Sequence, residues 1–148
     1  MKMDGDIRVR TSKDHQQLYN DLKGLLVKDF HELFFLTACL GYRHGCHARL
    51  GKSAEDRFWS KTITPDEWCA YYSMVLSKNG MDFSVVKDDK AVIAKIEEYA
   101  HGGMLFFIEN TLNGYLLEKE SGLSVDKSVS QDLPRRVMQS VFETAVKG

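Results

Sequence analysis

The sequence predicts an all-α fold: a compact bundle of five to six helices around one central buried helix, with room for two short strands. Three observations predict it. The segment Phe30–Leu40 carries Phe30, Leu33, Phe34, Phe35, Leu36, Ala38, Cys39 and Leu40, and a helix with so little polar face belongs at the centre of a fold. Thr64-Pro65-Asp66-Glu67 is a full helix-start signature, with a capping threonine, proline at the first helical position and glutamate three residues after the cap. Elsewhere apolar residues recur at helical spacing, as in Leu18, Tyr19, Leu22, Leu25 and Leu26, which share one face.

Taken in order, Ile7-Arg8-Val9-Arg10 alternates apolar and basic residues, the pattern of a short strand or ordered arm. Thr11 and Ser12 can cap the helix that buries Leu18 and Leu22. The central helix follows, and Gly41 is expected to end it in the left-handed conformation. From Tyr42 to Ile63 the periodicity stops, which predicts a loop of some twenty residues of the kind that is often functional. The Thr64-capped helix buries Trp68, Tyr71, Tyr72, Val75 and Leu76 and stops at Asn79-Gly80.

Phe83-Ser84-Val85-Val86 has strand composition and would pair with the N-terminal strand. The next helix starts at Asp88 or Asp89, with Val92, Ile93, Ile96, Tyr99 and Ala100 inward and Glu97-Glu98 on its solvent side. Gly102-Gly103 is read as an interruption, which allows a sharp turn or a close helix crossing. Residues 113–132 are polar and serine-rich and are expected to be a loop. It leads to a C-terminal helix, 133–147, with Val137, Met138, Val141, Phe142 and Ala145 on one side.

The 148 residues match one domain, 1–148, with apolar and charged fractions of 43% and 28% that argue against a disordered chain. A net charge of -1 argues against a protein whose whole surface grips nucleic acid, while a local basic patch stays open. Cys39, Cys46 and Cys69 are odd in number and form no C-x-x-C pair, which suits a reducing compartment. Met1 to Asp6 is polar and unlike a secretory signal. The apolar stretch Leu33–Leu40 is far short of the ~20 residues that span a bilayer. A cytoplasmic protein with no membrane partner is expected.

Motifs for catalysis are incomplete. Gly51-Lys52-Ser53 follows Gly45 by five intervening residues where a phosphate loop has four, and the preceding element is a helix where that loop follows a strand. His31-Glu32-Leu33-Phe34-Phe35 has Phe35 where a zinc-protease helix needs its second histidine. Cys39, His44, Cys46 and His47 have zinc-binding atoms at a spacing that fits no common ligand set. No Gly-x-Ser-x-Gly elbow occurs. No catalytic residue, metal ligand or cofactor is assigned.

The feature that points to a ligand is the basic loop. Arg43, Arg49, Lys52, Arg57 and Lys61, with Phe58 and Trp59 interleaved, carry charges for a phosphate backbone or an acidic protein surface and an aromatic ring for stacking. The other reading is a solvated loop anchored by Phe58 and Trp59.

Two blocks carry a family resemblance. Ala38-Cys39-Leu40-Gly41-Tyr42-Arg43-His44-Gly45, after the strand-like start and the apolar helix, and Glu97-Glu98-Tyr99-Ala100-His101-Gly102-Gly103-Met104 resemble the small accessory proteins associated with bacterial DNA phosphorothioation (Dnd) systems. The similarity covers about residues 6 to 112. It departs at His101, where those proteins usually have asparagine, and in the longer segment after Leu112. The resemblance implies a non-catalytic accessory component encoded beside DNA-modifying or restricting machinery, and it brings no catalytic residue.

The expected function is therefore an accessory subunit of a DNA-modification or antiviral defence system. It would bind a larger protein partner through the basic loop and terminal helix, with DNA contact as a secondary route and homo-oligomerisation left open. The alternatives are a DNA-binding regulator and a small metal-dependent enzyme. Gly41, Gly102 and Gly103 are assigned structural roles at turns.

Overall fold

The computed structural model describes residues 7–120 and 122–147. Residues 1–6, on which the expectation about a leader rests, and the side chain of Ala145 lie outside the described residues. The chain runs β1 (Arg8–Ser12), α1 (Gln16–Leu22), α2 (Phe30–His44), β2 (Ala54–Trp59), α3 (Pro65–Lys78), α4 (Asp89–Asn110), β3 (Leu116–Lys119), β4 (Gly122–Val125) and α5 (Leu133–Lys147). The fold class is thus mixed α/β, not all-α: the described residues hold five α-helices and two antiparallel two-stranded sheets, β1–β2 and β3–β4.

β2 and both strands of the second sheet lie where irregular loops were expected. In the segment 42–63, Arg8 pairs with Trp59 and Val9 with Phe58; after a bulge, Arg10 pairs with Asp56 and Thr11 with Glu55. The bulge leaves Arg57 as the extra residue, and such an insertion breaks the period-two pattern by which a strand is recognised. In the segment 113–132, Leu116–Lys119 pairs with Gly122–Val125 in a hairpin. Phe83–Val86, expected to be a strand, is a turn of 3-10 helix, and the Asp82 carboxylate accepts the Ser84 N–H at its start.

α2 and α4 form the centre. Leu33, Phe34, Thr37, Ala38 and Gly41 of α2 are buried, whereas Phe30, Phe35, Leu36 and Leu40 are only half-buried. One part of the core gathers Phe34, Ala38, Tyr71, Val75, Ile93 and Ile96. The other gathers Leu18, Leu22, Leu33, Met104, Phe107 and Leu133. Both helices contribute to both parts, so the crossing between them joins the molecule.

The glycines act at that crossing and not at turns. Gly41 lies inside α2, whose end falls at Gly45, in the left-handed conformation with φ 66°. α4 runs unbroken through Gly102 and Gly103. A Cβ on Gly41 would overlap the Tyr99 carbonyl oxygen, and one on Gly103 the Thr37 carbonyl oxygen. One on Gly102 would stand 2.5 Å from the Cys46 carbonyl oxygen. The backbones approach too closely for any side chain, which is the packing role of glycine at a helix contact. The crossing is further tied by the Ala48 N–H, which donates to the Glu98 carbonyl at 3.0 Å.

α3 and α5 follow the sequence closely. Thr64 and Glu67 form the capping box, with the Glu67 N–H donating to Thr64 Oγ1 at 3.2 Å and the Thr64 N–H to Glu67 Oε1 at 3.0 Å. Among the described residues no helix is long and apolar enough to cross a membrane.

Candidate functional site

Of the six side chains expected to form a basic binding loop, five reach solvent and one, Arg57, does not. Arg57 points inward, with a side chain only 4% exposed. Its Nε donates to Thr11 Oγ1 at 2.7 Å, and one terminal nitrogen donates to the Ser12 carbonyl at 3.1 Å and to Glu55 Oε2 at 2.8 Å. The guanidinium also lies 5.2 Å from the centre of the Tyr19 ring. Arg57 therefore stitches the bulged strand to β1 and is not available to a ligand. Trp59 is partly exposed, with the Arg8 guanidinium 4.0 Å from its ring centre. Arg43, Arg49, Lys52 and Lys61 are exposed, on the end of α2, the coil after it and the 3-10 turns flanking β2.

A different set of charges does converge. β1 pairs with β2 along one edge, and its other edge faces α4 across a cavity of about 400 Å³ lined by Ile7, Arg8, Arg10, Lys90, Ile93, Ala94 and Glu97. None of the six loop residues lines it. At its inner side Glu97, 7% exposed, accepts the main-chain N–H of Arg10 on Oε2 at 2.8 Å. Its other oxygen, Oε1, is 4.0 Å from the Arg10 guanidinium, beyond hydrogen-bond range, and no hydrogen bond from the described residues reaches it. Burial pushes the Glu97 carboxyl up from its usual range, and the Arg10 N–H and guanidinium oppose that shift.

Glu97 was expected on the solvent side of its helix. It is buried because β1 lies against α4 in addition to α2, which widens the covered stripe by one row. The signal was present in the spacing, since Glu97 is four residues after the inward-facing Ile93. Arg8 and Arg10 were equally legible, because alternation with Ile7 and Val9 places both on the exposed face of one strand. Arg8 is partly occupied, with a guanidinium nitrogen 2.9 Å from Asp56 Oδ2. Arg10 and Lys90 stand exposed on the two walls of the groove. Chemically, this groove brings together exposed cations, apolar side chains and a buried carboxylate with one oxygen that takes no hydrogen bond from the described residues.

Two polar clusters elsewhere have other characters. His31 Nδ1 is 2.9 Å from Glu67 Oε1, which ties the start of α2 to the capped start of α3. His15 and His101 lie with ring centres 5.6 Å apart. Burial first, then the neighbouring His101, lowers the His15 pKa to about 4, so it is neutral at physiological pH. The buried His101 Nδ1 has no partner among the described residues.

The zinc-like cluster does not assemble. His44 stacks on Phe106 with ring centres 4.1 Å apart, and His47 packs edge-on against Tyr99. Burial pushes the Cys39 thiol up to about 11, so it is protonated at neutral pH. Among the described residues no group of three or more His, Cys, Asp or Glu is placed to hold a metal ion.

The last helix adds a second surface. Leu133 and Val137 of α5 are buried, while Met138 and Phe142 are 68% and 67% exposed and Val141 is partly so. At about 100° per residue these five side chains make one continuous apolar face. Of these, Leu133 and Val137 are seated, and the helix is held by hydrogen bonds between the Thr111 and Ser140 hydroxyls at 2.9 Å and from the Arg136 guanidinium to the Asn110 carbonyl at 2.9 Å. Compared with known proteins, the chain matches no family model, no curated protein and no solved structure.

Proposed function

We propose that this chain is a non-catalytic accessory subunit that works by binding a larger protein partner, in the setting of a bacterial DNA-modification or anti-phage defence system. The observation that carries the binding role is the exposed part of the α5 face, at Met138, Val141 and Phe142. A methionine and a phenylalanine one helical turn apart, both two-thirds exposed beside a buried stripe, present the anchor pair that a helix lays into an apolar groove. Leaving such a face in water costs the folded chain hydrophobic stabilisation that a partner would recover.

The defence setting rests on the resemblance to Dnd-associated accessory proteins in residues 38–45 and 97–104. These two blocks are the two sides of the α2–α4 crossing, so what they specify is the packing of the central helices. They speak for a shared framework, and the working surfaces lie away from it.

The test is co-expression of the tagged full chain with the products of its neighbouring genes. The expected result is one larger protein retained by the wild type and lost, by tenfold or more, in Phe142→Asp and Met138→Asp chains whose helical circular dichroism is unchanged. Equal retention by those variants would remove α5 from the reading. Retention of no larger protein, with sedimentation showing a dimer that Phe142→Asp dissociates, would replace it with self-association.

A further inference from the structure

We infer that the groove between β1 and α4 is a nucleotide-binding site, with the phosphate held at the Lys90 end and the N–H edge of the base donated to Glu97 Oε1. The reasoning starts from the combination of groups. A groove with cations alone would suit any anion, and one with a carboxylate alone would suit any amine. Here Lys90 stands seven residues before the buried Glu97 on α4, roughly 10 Å along the helix, with apolar Ile93 and Ala94 between them in the same lining and Ile7 of the strand side completing it. A ligand that satisfies all three must carry an anionic group, a flat apolar face and hydrogen-bond donors at the far end. A nucleotide has these in that order.

Glu97 is held for the purpose. One oxygen is fixed by the Arg10 N–H at 2.8 Å, which sets the plane of the carboxylate and leaves Oε1 without a hydrogen bond from the described residues. A carboxylate has about four acceptor positions, so a buried one with a single hydrogen bond is under-used. Guanine presents two adjacent N–H donors that can converge on the one open oxygen, whereas adenine presents one donor beside an acceptor that the carboxylate would repel. The site should therefore prefer guanine. The volume of about 400 Å³ lies within the range of small-ligand pockets.

The inference does not rest on α5. Lys90 and Glu97 lie in the first half of α4, and α5 is anchored at Asn110 and Thr111. Twenty residues of helix separate Lys90 from Asn110, roughly 30 Å at 1.5 Å per residue. A partner on α5 leaves the groove open.

The same chemistry comes from a free nucleotide and from one unit of a single strand, so the titrations use GMP, AMP, inorganic phosphate and a short single-stranded oligonucleotide with or without guanine. They are followed by calorimetry and by the fluorescence of Trp59, whose ring lies under Arg8. Saturable GMP binding is expected, about tenfold tighter than AMP and phosphate, the scale of one well-placed charged hydrogen-bond pair. Lys90→Glu should weaken GMP and AMP alike by tenfold or more. Glu97→Gln keeps an oxygen for the Arg10 N–H, so it should fold, and it should erase the GMP preference while leaving AMP within about twofold. If the guanine-bearing strand outcompetes GMP, the natural source is a strand; if not, a free nucleotide. Absence of binding by any nucleotide at millimolar concentration overturns the inference, as do unchanged affinities in Lys90→Glu. Phosphate binding as tightly as GMP overturns it also, because the base would then be unread.

Discussion

The α2–α4 crossing and the seat of α5 are opposite ways of placing a helix. At the crossing, Gly41, Gly102 and Gly103 have shed their side chains so that backbones touch directly. On α5 the apolar face is wider than its seat, and Met138 and Phe142 stand in water. The first contact tolerates no alternative arrangement. The second leaves surface over. The lesson is that what fixes this fold and what is free to act lie in different parts of the chain, and that sequence blocks dense in glycine report the former.

The largest effect should come from adding a single methyl group at the crossing. Gly103→Ala places a Cβ on the Thr37 carbonyl oxygen, which forces two helices apart along both parts of the core. We expect a loss of about 4 kcal/mol or more, seen as a collapsed denaturation midpoint or as insoluble protein. Full stability in that variant would break the comparison at its root.

Next comes Arg57. Its side chain is buried and holds Thr11, Ser12 and Glu55 together. Arg57→Leu should destabilise by about 3 kcal/mol, because acceptors lose their donor inside the protein. Arg49→Glu, on exposed coil, should stay within about 0.5 kcal/mol of wild type. Urea unfolding of the two variants separates a structural arginine from a surface one.

These two residues also mark the limit of what the sequence discloses. The caps of α3 and the extent of α5 were legible because each is set by residues within a turn or two of itself, and β1 was legible from its alternation although its partner strand was not. β2 was hidden by its bulge, and the β3–β4 hairpin by polar residues at its exposed positions. The direction of Arg57 depends on the bulge, and the burial of Glu97 on a strand 87 residues earlier in the chain. Both are consequences of non-local packing, which counting charges along the chain does not capture.

A smaller and reversible effect should follow from His15. Its pKa of about 4 in the fold lies below the ordinary 6.5. Between those values the unfolded chain takes up a proton that the folded chain refuses, so stability falls as pH drops from 6.5 to 4 and then levels. The loss is at most about 3 kcal/mol. His101, also lowered by burial, acts in the same direction. His15→Phe should flatten much of that slope in denaturation curves taken across pH 4–7. An unchanged slope would assign the acid sensitivity elsewhere.

The smallest effect on the fold should belong to the residues most exposed on α5. Phe142→Asp and Met138→Asp remove apolar surface that already contacts water, so the folded state loses little, within about 0.5 kcal/mol. The polar replacement also relieves an exposed patch, and solubility should rise. Set beside Gly103→Ala, the pair makes the comparison quantitative: one methyl group at the crossing should cost several times what two charges on α5 cost. If the α5 variants instead unfold the protein, that face is seated in solution and the leftover surface does not exist. If they leave stability untouched while abolishing partner retention, surface and framework are energetically separate.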